Sequence, residues 1–182
     1  TTGTSNFTLD NTTTAVNLGT VGVTGALSVT SGATISDSST ITVGGTATFV
    51  TDVNDVDIIL NNTNAITGAL TFTTQTGGSN GADITLNNGS TAISLAGFTT
   101  EGNLTLETTN AIALTGHTVN GNLSVTSAGA ITQSAALTVS GNSSFTSTGT
   151  NTNITLTEAN AFTGQVTLTT AGTSGDVSID NG

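Results

Sequence analysis

The chain has 182 residues and a formal net charge of −11, with eleven Asp or Glu, one His and no Lys, Arg, Cys, Pro, Met, Trp or Tyr. Without a basic side chain it cannot neutralise phosphates, which excludes nucleic-acid binding and attraction to an anionic bilayer surface. Disulfides and thiolate metal sites are excluded as well, and no apolar run reaches the ~20 residues of a membrane span.

Thr, Ser, Asn and Gly fill most of the chain beside an apolar fraction of 34%. Disordered chains are usually richer in charge and Pro, whereas β-branched residues placed at regular intervals suit a pleated surface. The chain therefore reads as folded and all-β. It begins at Thr1 without an initiator Met and stops in mid-pattern at Gly182, so a fragment of a larger repeat protein is expected.

In chain order, one phrase recurs: Gly, any residue, apolar, hydroxyl, apolar. It reads Gly25-Ala-Leu-Ser-Val29, Gly45-Thr-Ala-Thr-Phe49 and Gly68-Ala-Leu-Thr-Phe72, then Gly102-Asn-Leu-Thr-Leu106 and Gly121-Asn-Leu-Ser-Val125. Gly141-Asn-Ser-Ser-Phe145 and Gly164-Gln-Val-Thr-Leu168 follow. Successive glycines are 20, 23, 34, 19, 20 and 23 residues apart, and Gly25, Gly45 and Gly68 recur 96 residues later as Gly121, Gly141 and Gly164. A unit of 96 residues is thus duplicated: a partial unit 1–24, a repeat unit 25–120 and a second, incomplete unit 121–182, in one segment 1–182.

The shorter period of 19–23 residues is the length of one solenoid turn. Gly121 to Ser140 reads as three short strands joined by tight bends, the outline of a triangular coil. The spacing predicts a right-handed parallel β-helix of about eight turns with one longer turn, roughly 40 Å long at ~4.8 Å per level. The stretch from Gly68 to Glu101 holds the longer turn, and the spacing leaves open whether it is enlarged or carries an insertion.

Alternation sets the register. Val29, Phe49, Phe72, Leu106, Val125, Phe145 and Leu168 are expected to point inward and stack from turn to turn. Ser28, Thr48, Thr71, Thr105, Ser124, Ser144 and Thr167, one residue before them, should face outward. The turn glycines Gly25, Gly45, Gly68, Gly102, Gly121, Gly141 and Gly164 suit a positive-φ bend. Asn64, Asn110 and Asn160, each followed by Ala and then Ile or Phe, suggest a second stack, of buried asparagines.

The segments AITQSAALTVSG (130–141), DITLNNGSTAISL (83–95) and TNAIALTGHTVNGNLSVTS (109–127) are similar to the repeats of giant bacterial exoproteins. The chain resembles the filamentous-haemagglutinin class exported by two-partner secretion, and related β-strand-repeat surface proteins. The resemblance spans essentially the whole chain. It implies a parallel β-helix, an extracellular or cell-surface location, and a role in adhesion, biofilm or filament structure. The partners it implies are further solenoid repeats or identical copies, joined end to end or laterally, and a host, cell-surface or glycan ligand.

Candidates for chemistry are few. His117 aligns with Phe98 at a shift of 19 residues, which makes it a stacking or corner residue rather than a catalytic one. Asp52, Asp55 and Asp57 form the sole acidic cluster, a candidate Ca²⁺ site whose plainer reading is a solvated corner loop. The second unit carries no acid at the same place. Glu101, Glu107 and Glu158 fall on different turns, away from the paired geometry of glycosidases. No catalytic residue and no cofactor is expected. The rival binding function is an ice face made of outward pairs such as Ser124/Thr126 and Thr167/Thr169, with Val50 and Glu107 breaking the row. Asn-x-Ser/Thr triplets, such as those at Asn103 and Asn122, are ordinary in so Asn- and Thr-rich a chain. The expectation is a structural shaft.

Overall fold

The computed structural model describes residues 4–182, so the first three residues of the partial unit 1–24 lie outside the described residues. Among the described residues there are 23 short strands and no helix. Neighbouring strands pair in parallel, as Leu27–Ser31 does with Ala47–Thr51 and Leu104–Thr108 with Leu123–Ser127. They form a β-solenoid wound as a right-handed parallel β-helix, the hand that parallel crossovers take.

Three faces surround the core. The first face begins as a four-stranded ladder through Phe7–Asn11, Leu27–Ser31, Ala47–Thr51 and Leu70–Thr73. The second face is one continuous eight-stranded ladder from Val16–Leu18 to Val166–Ala171. The third face begins as Val21–Val23, Ile41–Val43 and Ala65–Ile66. Chain order is first, second, third face, and then up one level.

The second face fixes the path through the long turn. Ile84–Asn87 pairs on one side with Ile58–Leu60 and on the other with Leu104–Thr108. Between those two levels the chain makes one circuit, passing Ile93 and Leu95 and then Thr99–Thr100. Leu95 bridges to Leu70 on the first face and Ile93 to Ile112 above it, so the ladder from Ile112–Leu114 through Val177–Ile179 stands over the start of the first-face strand Leu70–Thr73. Phe98 packs edge-on against Phe72 with ring centroids 6.1 Å apart, and Thr99–Thr100 opens a further ladder that runs through Ala161–Phe162. The stretch from Gly68 to Gly102 therefore holds four strand segments, Leu70–Thr73, Ile84–Asn87, residues 93–95 and Thr99–Thr100, where the other repeats hold three. It also carries a loop over residues 74–83 at the corner between the first and second faces.

This corrects the expected single stack. All seven residues of the phrase turn inward, and all but the half-buried Leu168 are fully buried. Val29, Phe49 and Phe72 lie on the first face, where the last two rings stack at 5.8 Å and 21°. Leu106, Val125, Phe145 and Leu168 lie on the second face, one above another. Leu106 rests on Leu86, not on Phe72. Two strands alike in sequence thus occupy different faces, because the long turn holds one strand segment more than the others.

On the second face one inward column runs through both copies, and the register shifts only beyond it, where Ser147 and Thr150 pair with the consecutive Thr170 and Ala171. Val16, Ile35, Ile58, Ile84, Leu104, Leu123, Ser143 and Val166 form one inward column. Burying one such aliphatic side chain is worth about 1.5–3 kcal/mol. Ser143 interrupts the column, its hydroxyl buried without a hydrogen-bond partner.

The turn glycines need a different explanation from the expected one. None of the seven has positive φ; Gly77, Gly81, Gly89, Gly172 and Gly182 do. The turn glycines instead lie on one another at strand spacing. A Cβ on Gly45 would sit 2.7 Å from the carbonyl carbon and oxygen of Gly25, and one on Gly121 would sit 2.6 Å from the same atoms of Gly102. The backbone N–H of Gly45 donates to Gly25 O at 2.9 Å, which holds the two levels at that distance.

The expected asparagine stack also divides. Asn64 and Asn160 are 1% and 2% exposed, but they lie on different faces and do not touch. Asn64 accepts the Ile41 N–H and donates to Asp37 Oδ2; Asn160 accepts the Leu137 N–H and exchanges bonds with Gln133. Asn110 is exposed on a corner.

Gly45→Ala is expected to lower stability by roughly 2–3 kcal/mol, since backbone on the level below must move to admit the methyl. Gly22→Ala, with nothing within 4 Å of the new Cβ, should be neutral or slightly stabilising. Chemical denaturation of the two variants checks the contrast.

Candidate functional site

The corner between the first and second faces holds the acidic cluster Asp52, Asp55 and Asp57. Asp55 sits at φ 57°, and its carboxylate accepts the N–H groups of Ser79, Asn80 and Gly81 at 2.9, 3.1 and 2.9 Å. The Ser79 and Asn80 N–H groups, with a smaller contribution from Gly81, hold its carboxyl below the ordinary carboxylate value. Asp57 Oδ1 accepts the Asp83 N–H at 2.9 Å, while Asp52 is exposed beside them. Each carboxylate of this trio thus has its own surroundings, and among the described residues no three acidic or His side chains converge as a metal site.

The second unit repeats this corner without the charge. Asn151, 96 residues after Asp55, also has φ 57°, and its Oδ1 accepts the N–H groups of Thr173 and Ser174 at 3.0 and 3.1 Å. Asn153, the counterpart of Asp57, accepts the Asp176 N–H at 2.9 Å. A carboxylate and a carboxamide do the same work at both places, which is to tie a loop to the level above.

That device runs the length of one corner. Asp57 accepts from Asp83, Asp83 from Asn103, Asn103 from Asn122, Asn122 from Asn142, and Asn142 from Gln165, all through backbone N–H groups at 2.7–2.9 Å. The sequon asparagines Asn103 and Asn122 belong to this column.

Inside the coil lies a column that the alternation argument missed. The residue six after each turn glycine is Ser31, Thr51, Thr74, Thr108, Ser127, Ser147 or Thr170, always a hydroxyl. It turns inward, and its Oγ donates to a carbonyl of the adjoining bend: Ser31 to Thr14 O at 3.0 Å, Thr108 to Gly89 O at 3.1 Å, Ser127 to Asn110 O at 2.6 Å. Thr74 has no partner, because the 74–83 loop departs there. The hydroxyl at that offset is constant in the sequence, and alternation puts it on the inward side of the strand. A buried bend carbonyl needs a donor, and a short hydroxyl supplies it.

The outward hydroxyls face solvent as expected, none of them buried. They do not form one plane. Ser28/Thr30, Thr48/Val50 and Thr71/Thr73 lie on the first face, whereas Thr105/Glu107, Ser124/Thr126, Ser144/Thr146 and Thr167/Thr169 lie on the second. Glu107 stands within the longer row and Val50 within the shorter.

His117 occupies the stacking place inferred for it. Its ring meets Phe98 edge-on at 4.9 Å and is 2% exposed, its Nδ1 has no partner, and its Nε2 lies 3.5 Å from Thr115 Oγ1. Desolvation by burial lowers its pKa to about 4. Glu101, on a corner, accepts from Asn120 Nδ2 at 2.8 Å; Glu107, exposed on the strand Leu104–Thr108 that follows it, shares its turn, contrary to expectation, and Glu158 is exposed on another.

The unfolded chain, with an ordinary His, takes up a proton before the folded one does. The stabilisation from neutral His117 is therefore complete above pH 6.5 and lost as pH falls towards 4, amounting to roughly 3 kcal/mol. His117→Phe should keep the stack, and its stability advantage over the parent should widen across that interval in acid denaturation series. Asp55→Asn should leave hydrogen exchange at the Ser79, Asn80 and Gly81 amides unchanged, as Asn151 implies, whereas Asp55→Ala should speed it, read by NMR.

Residues 4–73 and 101–169 each match a family model described as "Repeats of unknown function (DUF5649)". No curated protein and no solved structure matches the chain. The second match contains the four phrases from Gly102 to Gly164, and the first contains those at Gly25, Gly45 and Gly68 after the strand Phe7–Asn11, which pairs in register with Leu27–Ser31. The unmatched stretch between them is the long turn, and the two matches cover more than half of the sequence: the chain belongs to this family of repeats.

Proposed function

We propose that this solenoid is a length of structural shaft in an extracellular bacterial surface fibre or adhesin, with no catalytic role. The observation that carries the reading is the eight-stranded parallel ladder of the second face, continuous through both copies of the repeat. A level in such a ladder can open only by breaking hydrogen bonds above and below, so the coil resists bending and local unfolding. The polar columns serve the same end: Asx side chains, buried hydroxyls and stacked glycines each join one level to the next.

The net charge of −11 keeps these rods soluble. The similarity to exported exoproteins supports the extracellular placement.

Electron microscopy of the intact native assembly tests the reading. A thin filament of uniform width is expected, and isolated globular particles would overturn it.

A further inference from the structure

Asn-Gly is the dipeptide most open to spontaneous deamidation, because glycine has no side chain to shield its own nitrogen and turns freely into the reactive geometry. The chain carries it at 80–81, 88–89 and 120–121, and a fourth pair closes the sequence at 181–182. We infer that Asn80–Gly81 is the modification site of the folded chain, and that the Asp55 carboxylate holds the reaction off. This applies to the coil whether or not the coil is a shaft.

The reaction begins when hydroxide takes the proton from the glycine nitrogen. That nitrogen attacks the carboxamide carbon of the asparagine. A new C–N bond forms, the bond to the amide nitrogen breaks, and ammonia leaves with a proton from water, which restores the hydroxide. Water then opens the cyclic imide at either carbonyl and leaves aspartate or isoaspartate. The isomer adds a methylene to the backbone, which would disturb the register of a coil. Two conditions must hold: an N–H free to lose its proton, and a carboxamide free to turn towards it.

Two of the three pairs within the chain fail on both counts. Asn88 is fully buried, and its carboxamide is bound to both backbone groups of Ile66 and to the carbonyls of Thr91 and Ala92. The Gly89 N–H donates to Asn87 Oδ1 at 2.9 Å. Asn120 Nδ2 donates to Glu101 Oε2 at 2.8 Å, and the Gly121 N–H donates to Gly102 O at 3.1 Å on the neighbouring level.

Asn80 differs. It is exposed in the 74–83 loop, and among the described residues its carboxamide has no hydrogen-bond partner. Nor can Gly81 give way to a safer residue. It stands at φ 71°, and a Cβ there would lie 2.5 Å from the carbonyl carbon and oxygen of Glu101. Only the Gly81 N–H is held. Asp55 Oδ1 accepts it at 2.9 Å and takes the Asn80 N–H at 3.1 Å as well. Both amides are thereby fixed, and the Gly81 proton leaves only by breaking a bond to a charged acceptor.

The second copy has the loop without the hazard and without this contact. There Asn151 accepts the N–H groups of Thr173 and Ser174, and among the described residues the Gly175 N–H has no acceptor. Ser174 precedes that glycine, so no Asn-Gly pair is present. The third contact stands where an Asn-Gly pair needs it and is missing where none does.

Mass spectrometry of peptic peptides reads deamidation site by site, in mildly alkaline buffer with and without urea. Asn80, Asn88 and Asn120 are each expected to react at least about tenfold more slowly in the folded parent than in the unfolded chain. Asp55→Ala should bring Asn80 alone close to its unfolded rate. Ser174→Asn places the same dipeptide on an exposed loop without the third contact, and the introduced asparagine should react near the unfolded rate in a folded chain. Asn80 reacting as fast in the folded parent as in urea would overturn the assignment, and so would an Asp55→Ala chain in which Asn80 stays protected. If Asp55→Ala unfolds the coil, Asn88 and Asn120 react too, and Ser174→Asn decides. Protection of the introduced pair equal to that of Asn80 would then sink the idea, and rapid reaction there would uphold it.

Discussion

Every feature of this protein answers to one constraint, the parallel backbone ladder that sets each level about 4.8 Å above the last. At that spacing a residue's main neighbours are the residues directly above and below, not those beside it in sequence. Like must therefore stack on like. Glycine lies on glycine where the bends touch, aliphatic on aliphatic within, and amide on amide at the corners. The same constraint accounts for a chain with no Lys or Arg and only eleven acids. Two like charges one level apart repel by about 1 kcal/mol in water and by several near a protein surface, a cost repeated at each level of a charged column. Neutral hydrogen-bonding side chains make the same connections without that cost, as the succession from Asp57 and Asp83 to Asn103, Asn122 and Asn142 shows.

The three faces make nearly the same demands, and this allows a sequence repeat to shift from one to the next without a break in the ladder. On the second face, strands from the short-strand part of the first copy lie beside phrase strands of the second, yet the inward column stays aliphatic from Val16 to Leu123. Equivalence in sequence and equivalence in space are therefore separate properties in this solenoid. In the long turn between the copies the Asn88 carboxamide meets both backbone groups of Ile66, where a strand residue of the next level would otherwise stand.

The same reasoning places the polar groups that look functional. Asp55, tied to three backbone N–H groups, shares its role with a neutral residue one repeat later, so its charge is incidental to the corner. His117 fills a place that Phe98 fills one level below, at the cost of a ring nitrogen without a partner. Both are variations on a structural position. What the shaft offers to its surroundings lies in its outward columns and its loops, whose arrangement follows from the winding.

Within a turn, the sequence by itself determined nearly everything. Alternation of period two assigned Leu27, Val29, Leu123 and Val125 to the core and Ser28 and Ser124 to solvent, because a pleated strand sends successive side chains to opposite sides. Recurrence of the phrase gave the coil and its duplication. It also held, unread, the buried hydroxyl six residues after each glycine. Only the tertiary structure decided how turns are placed on one another: that Leu106 covers Leu86 and not Phe72, that Asn64 and Asn160 lie apart, and that the turn glycines serve close stacking rather than positive φ. The reason is geometric. Side-chain direction follows from local backbone periodicity, whereas the face on which a strand lands depends on how many bends the chain makes on the way. A spacing of 34 residues states the length of that path but not its angle.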